Sequence, residues 1–456
     1  MIHKMAKENL SAAKEGKNDE FYTDLKDIQS ELSHYSDKFK GKVVFCNCDD
    51  PFESNFVKYF LMNFNRLGLK ELIATGYKTS PYGGQEIGVM NTPYTLRVKD
   101  TSKYLIGTQK DLDVAGAKYF LETEGNKIMT PLIGNNALDE NGNQIKVSVK
   151  VECLDDDGNT ILTKAGKPKM KTVEQDLYYK AGDFRSDMSL ALLNEADIVV
   201  TNPPFSLFRE YVALLMKTNK KFLIIGNQNA ITYKEIFPLI KNNEMWLGYG
   251  FSGNVGFFKS PYEDKASSSQ HQKGKIRVSG VMWFTNIDHD KRHQMMPLDL
   301  GYTYYGHEDM YPKYDNYDGI NVNKSNQIPC DYKGWIGVPI TFLDKYCPEQ
   351  FEIVGLAPER ETVDVLRIKK YVNSIQHNDP NAKSVKDGKK GVTETGNKVN
   401  DGPAILHDTK PSKYPYYTSE TVPNKFIEVL YARILIKFTD DYINAHPEQF
   451  ANGDVE

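Results

Sequence analysis

A pair of prolines ends one apolar segment of this chain and limits what that segment can become. Residues 197–201, Asp-Ile-Val-Val-Thr, have the apolar run of a buried strand, and Asn202-Pro203-Pro204-Phe205 follows at once. Proline donates no backbone hydrogen bond and restricts the residue before it, so the strand must end in a stiff turn. Open α/β sheets bind ligands at this carboxyl-terminal edge of their strands. We therefore predict a binding site at residues 202–205, the NPPF corner.

Strand-like and helix-like segments alternate on both sides of the NPPF corner. The last two strand-like segments are joined by a polar loop instead of a helix, which favours an antiparallel pair. The others are apolar on both faces and separated mainly by helical patterns, as in a parallel sheet. The sequence predicts a doubly wound α/β sheet, mostly parallel with an antiparallel last strand, built from seven strands: VVFC, ELIATGY, LYYKAGDF, DIVVT, KKFLIIGN, EMWLGYG and VSGVMWFTNI.

The segment after the first of these strands has a clear helical pattern. Phe56, Tyr59, Phe60 and Phe64 recur at helical spacing, and Gly68 lies where a helix would stop. We predict a helix that packs this aromatic face against the sheet.

Two regions interrupt or follow the alternation. Residues 80–175 are polar and rich in turns, and we predict an insertion there, with QIKVSVKVECL as one strand of a hairpin arm. We assign residues 1–290 to a catalytic domain and residues 291–456 to a second, α+β domain. In the second domain we expect WIGVPITFL and FEIVGLA to form a strand pair, KFIEVLYARILIKF to be a helix or a strand, and residues 376–402 to be a flexible insertion.

Composition excludes several classes of protein. The chain has 456 residues, which is enough for two or three domains. Its start is too polar for a signal peptide, no apolar run is long enough to cross a bilayer, and the five Cys form no disulfide framework. We expect a cytoplasmic protein without membrane contact. The net charge of -4 gives no global case for nucleic-acid binding, so any such case depends on local basic segments.

The NPPF corner suits one kind of chemistry. The side-chain oxygen of Asn202 and a neighbouring backbone carbonyl both accept hydrogen bonds, so together they can hold an amino group on a planar ring, against which Phe205 can stack. With both amine hydrogens held, the nitrogen lone pair leaves conjugation and can attack an electrophilic methyl group. Positioning and electrostatics then supply the catalysis. The plainer alternative is a proline turn that ends a strand and has no ligand.

Other residue patterns point less clearly to function. Cys46 and Cys48 could bind a metal, but alternate positions on a strand more often place two small buried side chains on one face. Residues 155–159 hint at a calcium loop but lack its terminal Glu, and His271, His289 and His293 are better explained as solvated. We predict no metal site.

Several segments together resemble a known family. The NPPF corner resembles motif IV, (D/N/S)PP(Y/F), of the S-adenosylmethionine-dependent amino-methyltransferases, whose fold is the seven-stranded sheet. Residues 19–23, 50–56 and 182–184 resemble their N-terminal cofactor motif, motif I and the acidic motif after the third strand. With VPITFLDKY, the combination is similar to the EcoRI-type adenine-specific DNA methyltransferase family, from about residue 17 to beyond 350.

The resemblance implies S-adenosylmethionine as the cofactor. By this resemblance, Asp50 would face the methionine ammonium, and Asp183 would bind the amine of the cofactor's adenine. The implied cofactor-binding residues are Phe21, Tyr22, Thr23, Cys46, Asp49, Asp50, Asp183 and Phe184. Two features depart from the family pattern. Motif I has Glu, Ser and Asn at residues 53–55 in place of glycines, and the second strand lacks the usual acidic residue for the ribose, for which Asp49 is a possible substitute.

The implied activity is transfer of a methyl group to the N6 amine of adenine in a specific duplex DNA site. Asn202, Pro203, Pro204 and Phe205 would hold the target base, which must be flipped out of the helix to reach a strand end. Other acceptors remain open: cytosine N4, RNA adenine or a protein Gln amide. So does a non-catalytic DNA-binding protein on a decayed methyltransferase fold.

The implied partners are duplex DNA and a restriction endonuclease of the same site, and we expect a monomer. Basic segments are candidates for phosphate contact: Lys259, Lys265, Lys273, Lys275 and Arg277 in one loop, and Arg367, Lys369, Lys370 and residues 383–390 in the second domain.

Overall fold

The structure, a computed structural model, describes residues 22–76, 93–124, 129–153, 155, 160–163, 166, 168–251, 255–259, 271–272, 275–358, 366–379, 392–396 and 402–451. The chain divides into two compact units, Met1–Gly226 with Phe251–Val281, and Asn227–Gly250 with Met282–Glu456. None of the described helices is long and apolar enough to cross a membrane.

The helices of the described residues are α1 (Leu25–Leu32), α2 (Asn55–Met62), α3 (Phe64–Leu67), α4 (Val114–Glu124), α5 (Asp187–Glu195), α6 (Phe208–Lys217), α7 (Phe237–Lys241) and α8 (Asp440–Ala445). The strands are β1 (Tyr22–Thr23), β2 (Val43–Cys46), β3 (Glu71–Thr75), β4 (Tyr94–Val98), β5 (Met129–Pro131), β6 (Asn135–Asn136), β7 (Lys146–Glu152), β8 (Met170–Asp176), β9 (Tyr178–Tyr179), β10 (Ile198–Thr201), β11 (Lys221–Asn227), β12 (Trp246–Leu247), β13 (Val255–Lys259), β14 (His271–Gln272), β15 (Lys275–Ser279), β16 (Val281–Thr285), β17 (Ile320–Asn321), β18 (Ile336–Pro339), β19 (Phe351–Ala357), β20 (Ser374–His377), β21 (Val392–Gly396), β22 (Ala404–His407), β23 (Tyr416–Thr418), β24 (Phe426–Val429) and β25 (Arg433–Phe438).

The main sheet of the first unit runs in the order β11-β10-β2-β3-β4-β5. Its core is parallel, because β10 pairs in parallel with both β11 and β2, and β2 pairs in parallel with β3. The strands β4 and β5 add antiparallel pairs beyond β3. The fold is therefore α/β with a large, mostly parallel central sheet, as the sequence predicts.

The three central strands are buried along their whole length. Every residue of β2, β3 and β10 is buried, although successive side chains point to opposite faces. Both faces of this part of the sheet are therefore covered, as expected for parallel strands. The register pairs Ile198 with Val44 and Val199 with Phe45, so the carboxyl ends of β10 and β2 lie side by side.

The helix predicted after β2 is confirmed. Phe56, Tyr59, Phe60 and Phe64 are buried on α2 and α3. Gly68 caps the end of α3 with φ 64° and ψ 39°, and its N–H bonds to the carbonyls of the last helical turn. Only glycine adopts this left-handed conformation without steric cost, which explains the stop.

The predicted hairpin arm is also confirmed. The strands β7 and β8 pair antiparallel over seven residues each, from Lys146 opposite Asp176 to Glu152 opposite Met170. Most side chains of β8 are exposed, so this arm packs little of its surface against the unit. A separate sheet in the order β1-β13-β15-β14 joins the N-terminal strand to the segment after residue 254.

The second unit is built mainly from two sheets, in the orders β17-β18-β25-β19 and β21-β20-β23-β24-β22. The strands β12 and β16 pair antiparallel, as predicted for EMWLGYG and VSGVMWFTNI. The segment KFIEVLYARILIKF, left open as helix or strand, forms β24 and β25. Apolar residues between the strands form the core, among them Tyr317, Tyr417, Ile427 and Leu435.

Two strand predictions are wrong. The segment LYYKAGDF contributes only the two-residue strand β9, which pairs with β6 outside the main sheet, because the antiparallel β4 takes the place beside β3. The strands β18 and β19 do not pair with each other. The strand β25 lies between them and pairs antiparallel with both, a long-range contact that no local pattern reveals.

We expect Gly68→Ala to destabilise the first unit. A side chain in the left-handed conformation costs roughly 1–2 kcal/mol, and the free energy of unfolding from denaturant titration should fall by about that amount. Asn tolerates this conformation better, so Gly68→Asn should lose clearly less. Equal losses in the two variants would contradict the capping role.

Candidate active site

Two polar segments meet where β2 and β10 end. The first is residues 47–50, the β2 loop, and the second is the NPPF corner. Thr201, the last residue of β10, joins them: its hydroxyl accepts a hydrogen bond from the backbone N–H of Cys48 at 3.2 Å and donates one to Asp49 Oδ2. The two segments that the sequence assigned to cofactor and substrate are thus in direct contact.

Asp49 is enclosed by hydrogen-bond donors. It is 5% exposed, and its Oδ1 accepts from Ser54 Oγ at 2.9 Å, while the backbone N–H of Asn202 also donates to the carboxylate. Burial raises the pKa of Asp49 to about 7, against these hydrogen bonds, which lower it, and Asp50 raises it slightly further. Both oxygens are engaged inside the protein. Asp49 thus joins structural elements, and its role as a substitute for the ribose ligand stays a prediction.

Asp50 is held as a fixed carboxylate beside the β2 loop. It is 4% exposed, and its Oδ1 accepts from the backbone N–H groups of Phe52 at 3.0 Å and Glu53 at 3.2 Å. Burial raises its pKa, while these hydrogen bonds lower it. Gly76 follows β3, and a Cβ there would lie 3.2 Å from Asp50 Oδ2, so a side chain would crowd the carboxylate.

The residues that replace the family glycines start a helix. Ser54 caps α2, and its Oγ accepts from the N–H groups of Phe56 at 3.1 Å and Val57 at 3.4 Å. Asn55 Nδ2 donates to the backbone carbonyl of Thr23 at 2.7 Å, which brings the N-terminal motif to the start of α2. Thr23 is buried. Phe21 lies outside the described residues, and Tyr22 is described as part of β1.

Asp183 is bound by an arginine that the sequence reasoning missed. Arg185 donates from Nε to Oδ1 at 3.0 Å and from Nη2 to Oδ2 at 2.9 Å, a bidentate pair. Its Nη1 also reaches Glu210 at 2.7 Å, and the guanidinium lies 5.0 Å from the Tyr179 ring centroid and 5.2 Å from that of Phe184. Its position directly after the acidic motif, two residues from Asp183, was the available signal.

A tyrosine connects the acidic motif to the β2 loop. Phe184 packs edge-on against Tyr211 with 5.0 Å between ring centroids, and the hydroxyl of Tyr211 donates to Asn47 Oδ1. Burial raises the pKa of Tyr211 well above its ordinary value. In the sequence Tyr211 has a helical spacing with Phe208, Val212 and Leu215, and this pattern indicates an ordinary core residue.

The NPPF corner itself is only partly accessible. Asn202 and Pro204 are half-buried, while Pro203 is buried and Phe205 is 7% exposed. Phe205 begins a short 3₁₀ turn, Phe205–Leu207, which leads into α6. The stacking of a base against Phe205 remains a prediction, since the ring does not lie on an open surface here.

The competing metal sites gain no support from the described residues. Cys46 is fully buried at the end of β2, and burial raises its thiol pKa, whereas the thiol of Cys48 lies 3.7 Å from Asn47 Oδ1. The prediction that His289 is solvated is wrong: the side chain is buried, with Nε2 at 2.9 Å from the Leu247 carbonyl. In the part of the chain that is described, no His, Cys, Asp and Glu side chains cluster in a way that would hold a metal.

Comparison with known proteins decides the family. The family model described as adenine-specific methyltransferase EcoRI matches residues 9–395. The chain belongs to this family. The Type II methyltransferase M.EcoRI of Escherichia coli is 41% identical over 351 residues, covering 76% of this chain and 88% of the relative. M.MpnI of Mycoplasma pneumoniae is 33% identical over 374 residues, 80% of this chain and 91% of the relative, and no solved structure matches.

Membership in the adenine-specific methyltransferase EcoRI family establishes the type of enzyme. The chain is a site-specific DNA methyltransferase that modifies adenine. The family uses S-adenosylmethionine in general, which agrees with the resemblance in the sequence motifs.

We expect Asp49 to make stability depend on pH. Its pKa of about 7 in the folded chain lies above the ordinary 3.8, so the folded state binds an extra proton between these values. The stabilisation that the protonated Asp49 gives the folded state is complete below about pH 4 and is lost as the pH rises through 7. Relative to Asp49→Asn, the free energy of unfolding of the unmodified chain should fall by on the order of 4 kcal/mol across this window.

Urea titrations at several pH values measure this difference. Asp37→Asn, at a carboxylate with 72% of its side chain exposed, is the matched control. A difference between the unmodified chain and Asp49→Asn that stays constant from pH 4 to pH 7 would show that burial does not govern this carboxyl.

Proposed function

We propose that the chain transfers a methyl group from S-adenosylmethionine to the N6 amine of an adenine flipped out of a specific duplex DNA site. One observation carries this proposal: the NPPF corner and the β2 loop lie at adjacent carboxyl ends of parallel strands, hydrogen-bonded through Thr201. A stacked base cannot reach the end of a strand, so the base must leave the helix.

The residues around the β2 loop fit S-adenosylmethionine. Asn47 Nδ2 is buried and has no hydrogen-bond partner among the described residues, and Thr23 Oγ1 is in the same situation, so both offer polar contacts to a ligand. The fixed carboxylate of Asp50 would take the methionine ammonium, and the bare Cα of Gly76 leaves room beside it. When bound, this cofactor supplies a methyl group on a sulfonium, an electrophile that needs no further activation.

The NPPF corner would act on the target amine. The side-chain oxygen of Asn202 and a backbone carbonyl of the corner accept the two amine hydrogens, which directs the nitrogen lone pair out of the ring plane. The nitrogen held in this way would receive the methyl group that the cofactor supplies, and the electrons of the carbon–sulfur bond would stay on sulfur. The methylated nitrogen is then acidic and loses a proton to water, so no strong base is needed. Phe205 would stack on the base only after becoming more exposed.

Asp183 would bind the adenine of the cofactor with the help of Arg185. Arg185 donates twice to Asp183 Oδ1, from its backbone N–H and from Nε, and once to Oδ2, from Nη2, so Oδ2 retains acceptor capacity for the adenine amine. Arg185 also covers the rings of Tyr179 and Phe184, so the acidic group, the cation and the two rings form one compact surface. We infer that Arg185 orients Asp183 toward the adenine amine.

The second domain, residues 291–456 in the sequence-based division, would recognise the DNA site. Of its basic candidates, Lys369 is paired with Asp315 at 2.6 Å, which reduces its availability to phosphates. Residues 383–390, Lys265 and Lys273 lie outside the described residues. A cognate restriction endonuclease and a monomeric state remain part of this proposal.

We expect Asn202→Ala to reduce methyl transfer by roughly 100-fold or more, because the target amine loses the side-chain oxygen that accepts one of its two hydrogens. The measurement is tritium transfer from labelled S-adenosylmethionine to unmethylated duplex DNA, followed by digestion to nucleosides. Label should appear in N6-methyl-2′-deoxyadenosine for the unmodified chain and be nearly absent for the variant.

Asn194→Ala, at an exposed position of α5, is the matched control and should keep its activity. Label in cytosine, RNA or protein Gln would change the assigned acceptor. Cofactor binding by the unmodified chain without label anywhere would support the decayed alternative, and full activity of Asn202→Ala would refute the role of the corner.

We expect Asp183→Asn to weaken S-adenosylmethionine binding by about tenfold or more, since it removes a charge-assisted acceptor and leaves Arg185 without its bidentate partner. Isothermal titration calorimetry measures the dissociation constant. Asp187→Asn, an exposed carboxylate in the first turn of α5, is the control. An unchanged dissociation constant for Asp183→Asn would remove Asp183 from the cofactor site.

A further inference from the structure

We propose that Asp49 is a positioning residue that fixes the NPPF corner relative to the β2 loop, acting through the hydroxyl of Thr201. The proposal rests on the proposed function, because it explains how the corner is aligned with the cofactor segment. Neither Asp49 nor Thr201 is assigned contact with the target base or with the methyl group.

The hydroxyl of Thr201 has its hydrogen bonds fixed in both directions. It accepts from the backbone N–H of Cys48 at 3.2 Å, so its single proton is free to point at Asp49 Oδ2, to which it donates. Thr201 is fully buried. With one donor and one acceptor on the same loop, the end of β10 can shift relative to the β2 loop only by breaking both bonds.

The same carboxylate also holds the first residue of the corner. The backbone N–H of Asn202 donates to Asp49, so two consecutive residues at the end of β10 bind one side chain. Two further bonds fix Asp49 itself: Ser54 Oγ, at the start of α2, donates to Oδ1 at 2.9 Å, and the backbone N–H of Asp49 donates to the Thr75 carbonyl at 3.2 Å. Asp49 therefore links β2, β3, β10 and α2 at one point.

This linkage bears on catalysis because methyl transfer depends on alignment. The acceptor nitrogen and the methyl carbon must lie in line within a few tenths of an ångström, and a displacement of about 1 Å can cost roughly 100-fold in rate. The Asn202 side chain and the carbonyls of the corner inherit their positions from the backbone at residues 201 and 202. The carboxylate of Asp49 sets that position from the side of the cofactor loop.

The linkage needs the ionised carboxylate. Ionised, Asp49 only accepts, which matches the three donors around it: Thr201 Oγ, Ser54 Oγ and the Asn202 N–H. Protonation places a donor among these donors and breaks at least one bond. The titratable groups around Asp49 are Cys46, Cys48 and Asp50 from its own segment and Tyr211 from α6. Because the pKa of Asp49 is about 7, the rate of methyl transfer should fall as the pH drops below neutral.

A pair of variants of Thr201 tests the proposal. Thr201→Val removes the hydroxyl while keeping the shape, and we expect the single-turnover rate of methyl transfer to fall by roughly 100-fold. Thr201→Ser keeps the hydroxyl and should restore most of that rate. The matched control is Thr218→Val, directly after α6, whose hydroxyl donates to the Leu214 carbonyl at 2.8 Å and lies outside the segments assigned to the cofactor and the base. It should leave the rate within about threefold.

Two further readouts separate positioning from a purely structural role. The double variant Asp49→Asn with Thr201→Val should be no slower than the worse single variant, since both changes break one linkage. The single-turnover rate of the unmodified chain should rise about tenfold per pH unit below 7 and level off above it, whereas that of Asp49→Asn should be flat from pH 6 to pH 8. Calorimetry and circular dichroism establish that each variant is folded and binds S-adenosylmethionine.

The outcomes are distinguishable from those of the proposed function. If Asn202→Ala is inactive but Thr201→Val matches the unmodified chain, the positioning role is refuted and the corner keeps its role. If Asn202→Ala is active, the proposed function fails whatever Thr201 does. Should Asp49→Asn not fold, the two Thr201 variants and the pH profile of the unmodified chain still decide, and a rate that is flat through pH 7 overturns the proposal.

Discussion

A buried carboxylate is the point on which the catalytic end of the first unit depends. Asp49 accepts hydrogen bonds from Thr201, Ser54 and the backbone of Asn202, and so ties the end of β10 to the start of α2. Burying such a group is unfavourable, which its raised pKa reflects. In the proposed positioning role, stability and activity respond to pH in opposite directions, because ionisation of Asp49 through pH 7 weakens the fold and completes the linkage. Functional sites commonly retain groups that reduce stability.

The parts of the site form one connected set. Asn55, the first residue of α2, donates a hydrogen bond to Thr23 of the N-terminal motif. Phe184 of the acidic motif packs against Tyr211, whose hydroxyl donates to Asn47 in the β2 loop. The β2 loop is thus linked directly to the end of β10, to the acidic motif through Tyr211, and to Thr23 through Ser54 and Asn55 at the start of α2. Ser54, which stands where the family pattern has a glycine, caps α2.

Much of the fold and the positions of the motifs were predictable, whereas the contacts between them were not. The burial of β2, β3 and β10, the stop at Gly68 and the β7–β8 arm follow from local patterns, because each depends on residues close in sequence. The placement of β25 between β18 and β19, and of β4 beside β3, depends on pairings across long stretches of chain. Local propensity carries no information about which distant strand will pair.

The sequence by itself determined that a stiff corner ends a parallel strand and that its residue types suit an amine on a planar ring. Proline geometry and hydrogen-bond capacity are properties of the residues themselves, so they are readable without a structure. Only the tertiary structure decided what Asp49, Arg185 and Tyr211 do. Asp49 and Tyr211 bond to partners 152 and 164 residues away, and Arg185 joins Asp183 to Glu210, 25 residues away; such distant partners are set by folding. In the folded chain the carboxylate of Asp49 is a link between strands, which its place in the sequence does not reveal.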